Sequence, residues 1–427
     1  MSWLLNGVFL CALLALSPWL VWRALRTGRY RRGLRAKLFG LSESLPPGAV
    51  WFHGVSVGEI HLLRQVVAAF RKRYPGLPCV VSTTTDTGLD EARKCFPDLF
   101  VFPFPFDFSW AVGRTLRRMC PRQIVLAEAE LWPNFLMSAR RQGVPVAVIN
   151  GRMSPRSLKR YQRLGPLSRW LFGHLDLLVM QTEHYARAVR LLGVHPDRVY
   201  VTGSVKFDGV LLDRHNPRTH YLRDMLKVHE GELIWIAGST QAPEEEIVLK
   251  IWQSLRIYHP SLRLFLVPRQ KDRFEEVAQL LEHSGVEFAR RSSCADLGKP
   301  VVLVDTIGEL GPLWGLADVA FVGGSLDGRR GGQNMIEPAA FGAAVVFGPH
   351  VWNFAETAAR LIEASAACQV ADAGQLETML RLLLEDPAER QRMGAAARVF
   401  VLRQQGATEQ TIELLGQLLA APRPLAA

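Results

Sequence analysis

From Ala49 onward, short apolar runs alternate with stretches whose apolar positions recur every three or four residues. AVWFH (from Ala49), CVVST (from Cys79), IVLAE (from Ile124), VPVAVIN (from Val144), LDLLVMQT (near Leu175) and VYVTG (near Val199) predict strands. EIHLLRQVVAAFRKRY (from Glu59) and GLDEARKCF (from Gly88) predict helices between them. Near-continuous apolar strands separated by helices of this length predict a parallel sheet covered on both faces. The alternation lapses between about Val210 and Gly231, where Asp213, Arg214, His215, Asn216 and Pro217 make a polar, basic stretch. It resumes with LIWIAG (from Leu233), LRLFLVP (from Leu262), VVLVD (from Val301), VAFVGG (from Val319) and AAVVFG (from Ala343). The tail from Met379 to Ala421 is helical in pattern, broken near Asp386 and Pro387. The expected class is therefore α/β, with two doubly wound, Rossmann-like domains over residues 23–210 and 231–427. Residues 211–230 are the expected linker, and the tail is assigned to the second domain.

The segment from Trp3 to Trp22 is uncharged and, at about 1.5 Å per residue, roughly matches the hydrocarbon core of a bilayer. Directly behind it come Arg23, Arg26, Arg29, Arg31, Arg32, Arg35 and Lys37. A cleavable signal peptide carries its positive charge before the apolar run, whereas here it follows. Residues 1–22 thus read as a membrane-anchor helix, with the positive-inside bias placing everything after it in the cytoplasm, on the inner membrane. Asn6, Gly7 and Pro18 weaken a spanning helix and keep open a shallow patch that docks on the membrane without crossing it.

Hydrophobic residues make up 48% and charged residues 21%, a globular balance that excludes wholesale disorder. The net charge of +11 points to anionic partners: nucleic acid, lipid headgroups or phosphorylated substrates. No aromatic-basic surface motif or DNA-binding signature accompanies it, so no nucleic-acid partner is expected. The six cysteines (Cys11, Cys79, Cys95, Cys120, Cys294, Cys368) form no CxxC pair and no zinc-spaced cluster. They read as reduced thiols, mostly buried.

Candidate chemistry falls at predicted strand ends, where open α/β sheets bind ligands. In HGVSVGEI (from His53) a strand ends, a small-residue loop follows and Glu59 opens a helix. A carboxylate there is readily a cap; it can also be a general base facing an interdomain cleft, with Ser56 and Gly58 allowing close approach of a sugar. AEAELWPN (from Ala127) sets Glu128 and Glu130 at alternate positions after a strand. Lys206 in VTGSVKFD (from Val201) is a solvated lysine or a partner for a carboxylate. In the second half, AGST (from Ala237) puts Gly238 and Ser239 between a strand and a helix, suited to backbone contact with a phosphate or sugar, or to a plain cap. LVPRQKDRF (from Leu266) contains Pro268, Arg269 and Arg273, and DTIGEL (from Asp305) contains Ile307, Gly308 and Glu309. GGQNMIEPAAFG (from Gly331) places Asn334 and Glu337 on one face at a helix start.

These segments, taken in order from about Gly28 to Phe354, resemble the Kdo (3-deoxy-D-manno-octulosonic acid) transferases of lipopolysaccharide synthesis, enzymes of the glycosyltransferase-B architecture. HGVSVGE is similar to the family's H-x-V-S-V-G-E, AEAELWPN to E-T-E-L-W-P-N, INGRMSPRS (from Ile149) to N-A-R-M-S, and VTGSVKFD to V-T-G-N-x-K-F-D. STTTDTG (from Ser82) looks like the family's loop after strand two.

The resemblance implies an inverting transfer from CMP-Kdo, bound by the second domain, to a lipid A precursor bound by the first. It implies Glu59 as catalytic base, Glu130 as support for the transition state, Lys206 as a partner of the sugar acid, and Arg152 in the cleft. It further implies Pro268, Arg269, Ile307, Gly308, Glu309, Asn334 and Glu337 at the nucleotide. The reading calls for no cofactor; no DxD-like pair occupies a suitable loop, so no metal is required. Two positions depart from the family: Gln333 and Gln241 stand where histidine is usual, and LDGRRGG carries an extra residue with Arg329 and Arg330. Glutamine keeps hydrogen-bonding capacity but cannot become cationic, which bears on phosphate recognition. The alternative is another glycosyltransferase-B enzyme, or an epimerase, using a UDP-sugar.

Overall fold

The computed structural model describes residues 2–27, 33–43, 47–128 and 130–421. Arg29, Arg31 and Arg32 of the basic cluster, the side chain of Arg23, and Ala129 lie outside the described residues. The chain forms two compact units, Met1–Asp208 with Gln405–Ala427, and Gly209–Gln404.

The first unit is built on seven parallel strands: β1 (Val50–His53), β2 (Cys79–Thr83), β3 (Phe100–Pro103), β4 (Gln123–Ala127), β5 (Val146–Gly151), β6 (Leu177–Met180) and β7 (Val199–Val201). Their order is β3-β2-β1-β4-β5-β6-β7, so the winding direction reverses between β1 and β4. Both faces of the sheet are covered, which is why its strands are apolar without alternation. In β1, Trp51 enters one core cluster while Val50 and Phe52 enter the other, the period of two expected of a strand.

The second unit repeats the plan with β8 (Leu233–Thr240), β9 (Leu262–Pro268), β10 (Phe288–Arg290), β11 (Val301–Leu303), β12 (Val319–Val322), β13 (Ala344–Phe347) and β14 (Ala367–Gln369). Their order is β10-β11-β9-β8-β12-β13-β14, and the reversal falls between β8 and β12. Each unit is thus a doubly wound α/β layer sandwich of the expected class.

The structure differs from the sequence reading in four places. The predicted linker is not a free connector. The Arg214 guanidinium donates to the carbonyls of Phe341 (2.7 Å) and Ala317 (2.8 Å), and the helix Pro217–Met225 buries Thr219 and Leu222 in the second unit. A polar stretch conceals this because its arginine satisfies buried carbonyls rather than water.

The end of the tail packs on the first unit, not the second. The helix Ala407–Ala420 puts Ile412 and Leu415 into the core cluster of the helix Val57–Arg73. The Asp208 carboxylate accepts from the backbone N–H of Gly406 (2.6 Å) and Thr408 (2.5 Å), fixing the crossing. An amphipathic pattern shows that a helix buries one face, not which sheet it covers.

Strands β3, β10 and β14 escaped prediction. All three lie at sheet edges and are only three or four residues long. Finally, the cysteines are free but not mostly buried: Cys79 is buried, while Cys11, Cys120 and Cys294 are exposed.

The apolar N-terminal segment forms the helix Ser2–Thr27, of 26 residues, followed by the short helix Leu34–Phe39. Its stretch Ser2–Trp19 is long and apolar enough to cross a membrane.

Candidate active site

In the first unit, the loops after β1 and β4 meet where the strand order reverses, the place at which such sheets open a ligand crevice. Ser56 caps the helix Val57–Arg73, its hydroxyl accepting from the Glu59 N–H at 3.4 Å. The Glu59 carboxylate reaches back, accepting from the Val55 N–H (2.6 Å) and the Ser56 hydroxyl (3.1 Å). The cap is therefore real, a variant of the reciprocal Ser-x-x-Glu box.

A capped carboxylate is ordinarily more acidic, yet Glu59 is pushed up to about 7. Burial is the largest cause; the Glu128 and Glu130 charges add to it, and together they outweigh the Val55 and Ser56 hydrogen bonds. A carboxyl poised near neutrality can exchange a proton at physiological pH, which a simple cap does not require.

The surrounding loops hold this arrangement. Thr83, which ends β2, and Thr85, from the loop after it, each donate to the Val55 carbonyl at 3.1 Å. His53, which opens the motif, is buried and pushed down to about 3 by that burial, so it stays neutral, with Nδ1 on the Ser82 hydroxyl at 2.8 Å. Gly58 is exposed beside Glu59, and a Cβ there would meet only the Ser56 Oγ, at 3.9 Å.

After β4, Glu128 adopts the left-handed region (φ +59°) and pairs with Arg152 at 2.8 Å. Glu130 is half-buried, and burial raises its pKa. Lys206 is half-buried as well. Burial and the nearby Arg152 lower its pKa, while Glu128 and Glu59 oppose the shift. Glu59, Glu128, Glu130, Arg152 and Lys206, carried by four separate motifs, thus form one electrostatic cluster.

Asn150, which the sequence did not single out, positions its cationic side. From a left-handed backbone (φ +53°) its Oδ1 accepts from the Ser204 hydroxyl and the Val205 N–H, each at 3.2 Å, fixing the loop that carries Lys206. Its place as the second residue of INGRMS was the signal available.

In the second unit the same topology places the loops after β8 and β12 together. Glu244, also not anticipated, is almost fully buried and binds both. Its carboxylate accepts from the N–H groups of Gln241 (3.0 Å), Gly324 (2.6 Å), Ser325 (2.8 Å) and Leu326 (3.0 Å). Gly323 lies so close that a Cβ would stand 2.7 Å from the Thr240 Cα.

Beside this junction, Gln241, Arg269, Gln270, Arg330 and Gln333 line a pocket of about 420 Å³. Arg269 follows buried Pro268 at the end of β9; its N–H donates to the Thr240 carbonyl at 3.0 Å and its Nε to the Gln333 side-chain oxygen at 3.2 Å. Asn334, which precedes the helix Ile336–Ala340 rather than sharing it with Glu337, donates to Glu337 at 2.9 Å and accepts from the Ile336 N–H. Burial raises the Glu337 pKa, with Asn334 and Arg269 acting against it.

The other expected residues sit differently. Gly238 is packed under Trp314, whose ring would be 2.4 Å from an added Cβ, so its lack of a side chain serves packing. Ser239 beside it is half-buried, in the left-handed region (φ +56°). Glu309 is engaged by Arg291 at 2.8 Å and by the Thr306 hydroxyl, while Ile307 is exposed and Gly308 has φ +89°. Among the described residues, His61, Glu91 and Cys95 bring potential metal-ligand atoms within 4.8 Å of one another.

Comparison with known proteins decides the family. The family model for 3-deoxy-D-manno-octulosonic-acid transferase matches residues 25–209. The 3-deoxy-D-manno-octulosonic acid transferase of Haemophilus influenzae is 32% identical over 398 residues, 92% of this chain and 92% of that protein. That of Bordetella pertussis is 35% identical over 432 residues, 96% and 98% of the two chains. This chain belongs to the Kdo transferase family. It is accordingly a glycosyltransferase. The fold extends further: the UDP-GlcNAc 2-epimerase of Neisseria meningitidis, solved bound to UDP-GlcNAc, is similar with a TM-score of 0.58 at 12% identity, covering 86% of this chain and 100% of that one. That likeness shows the glycosyltransferase-B fold alone. Within the family pattern, the two departures, Gln241 and Gln333, both line the pocket beside Arg269.

Proposed function

We propose that the chain transfers Kdo from CMP-Kdo to a lipid A precursor with inversion at the anomeric carbon, and that Glu59 is the general base. The observation that carries this reading is the Glu59 carboxyl: held by two hydrogen bonds at the turning point of its sheet, yet raised to about 7.

The acceptor hydroxyl gives its proton to the Glu59 carboxylate while its oxygen bonds to the anomeric carbon. The bond from that carbon to the phosphate oxygen breaks, and its electron pair leaves with CMP. Arg269 and Arg330 supply positive charge to the departing phosphate, and Lys206 pairs with the Kdo carboxylate. Glu130 supports positive charge developing on the sugar. Glu337 and Asn334 hold the nucleotide, with Pro268, Ile307, Gly308 and Glu309 around it. Arg152, Ser56, Gly58, Gly238 and Ser239 are the further sugar or acceptor contacts. Glu128 keeps Arg152 in place through their 2.8 Å pair.

The same reading places the chain at the cytoplasmic face of the inner membrane, through its apolar helix and the basic residues behind it. Purified protein offered CMP-Kdo or UDP-sugars, with a lipid A precursor as acceptor, tests the assignment. Product is expected from CMP-Kdo alone; product from a UDP-sugar instead would overturn the donor.

A further inference from the structure

We propose that the N-terminal helix lies in the plane of the cytoplasmic membrane surface, clamped to the first unit at its start, and does not cross the bilayer. This rests on the reading of the helix as a membrane segment and concerns how it meets the lipid.

The helix is tied near its start to one neighbouring helix, Ser109–Met119, and the chain that follows it returns to that same helix at Gly40 and Leu41. At its start Asn6 is buried to 5% exposure. Its side-chain amide donates to the Ser109 hydroxyl at 2.8 Å, and its oxygen accepts from the Ser109 N–H at 3.0 Å and the Asn134 amide at 3.2 Å. One turn on, the Phe9 ring meets Phe108 edge-on at 5.0 Å, with Phe106 and Trp132 each at 6.3 Å.

Past the other end, the chain returns to the same helix. A Cβ at Gly40 would lie 2.3 Å from the Ala111 carbonyl oxygen, and the Leu41 N–H donates to the Thr115 hydroxyl at 3.1 Å. Ser109 and Thr115 are six residues apart, about 9 Å along a helix axis. A spanning helix would hold its two ends on opposite sides of roughly 30 Å of hydrocarbon. Crossing would therefore strip Asn6 from three partners and draw its amide through lipid, leaving the Ser109 N–H and the rings of Phe106, Phe108 and Trp132 uncovered.

What the helix turns outward fits a lipid surface. Trp3, Leu4, Val8, Leu14, Trp19 and Trp22 are exposed, joined by Phe39 and Trp110 beside the second attachment. Arg26, Arg35, Arg114, Arg117 and Arg118 are exposed as well, a charge complement to anionic headgroups. The clamp also reaches the acceptor side of the site. Trp132 and Asn134, which Phe9 and Asn6 touch, follow Glu130 in the AEAELWPN segment. Lipid contact at the helix thereby braces the loop that carries Glu130.

Protease accessibility of an epitope tag fused ahead of Met1, on the full-length chain in its membrane, tests the proposal. The protein is expected to sediment with membranes, and the tag to be removed in inverted inner-membrane vesicles but kept in spheroplasts treated from outside. Removal in spheroplasts would show a crossing helix and overturn the in-plane arrangement while membrane association stands. A protein found wholly in the soluble fraction would overturn the membrane reading itself, and this proposal with it.

Discussion

The side-chain nitrogens of Gln241 and Gln333 converge on Gly324, where an added Cβ would stand 3.1 Å from one and 3.3 Å from the other. The two residues are 92 positions apart and follow different strands, yet they occupy adjacent places on one pocket wall. Both stand where the family pattern has histidine. The pocket wall thus carries two neutral amides beside Arg269 and Arg330.

That exchange has a pH consequence. A histidine at either place gains a proton, and a charge-assisted contact to phosphate, as pH falls from 8 to 6; an amide does not. Relative to the parent, the Gln241→His/Gln333→His variant is expected to gain roughly three- to tenfold in CMP affinity over that interval. Calorimetric titration of both proteins at the two pH values reads the ratio, and a constant ratio would remove these side chains from the phosphate's surroundings.

Arg269 and Glu337 are expected to matter for the nucleotide rather than for the acceptor. Arg269→Ala or Glu337→Ala should weaken CMP binding by roughly ten- to a hundredfold, the usual loss for a charge-assisted hydrogen bond. Equal CMP affinity of variant and parent would take these residues out of the site.

Glu244 makes a different prediction. One carboxylate serving four N–H groups cannot be replaced by an amide without turning an N–H donor toward other donors. Glu244→Gln should cost about 1–3 kcal/mol in stability and loosen the loops after β8 and β12. Chemical denaturation measures the first, and an unchanged midpoint would show that those loops hold without the carboxylate.

Much of this was legible in the chain. Strands buried on both faces announce themselves as apolar runs, and β2 and β9 match the runs CVVST and LRLFLVP residue for residue. The edge strands were not legible, because three or four residues such as Phe288–Arg290 make too short a run. Nor was the placement of the helix Ala407–Ala420, legible as a helix but held to the first unit by Asp208 some two hundred residues earlier. The cluster around Glu59 was readable as separate motifs; that Arg152 pairs with Glu128, and that Asn150 fixes the Lys206 loop, depends on positive-φ turns that sequence spacing does not disclose. Glu244 is one of three acidic residues that open a helix, and nothing in the sequence marks it as buried.

The raised Glu59 pKa predicts opposite pH trends for rate and stability. The base works when deprotonated, so turnover should rise through about pH 7 and fall on acidification. A carboxyl whose folded pKa exceeds its ordinary 4.5 contributes stability that is complete below that value and is lost as pH rises through about 7. A rate profile flat from pH 6 to pH 8 would contradict the assignment.

Turnover and thermal midpoint measured together on Glu59→Gln at pH 8 test the central claim most directly. The amide keeps the size of the side chain and can still accept from the Val55 N–H, but it cannot take a proton. As the base, Glu59 predicts a fall in turnover of about 10²–10⁴ with a midpoint equal to or above the parent's. Near-normal turnover with a lowered midpoint would show that Glu59 only caps its helix, and would contradict the mechanism.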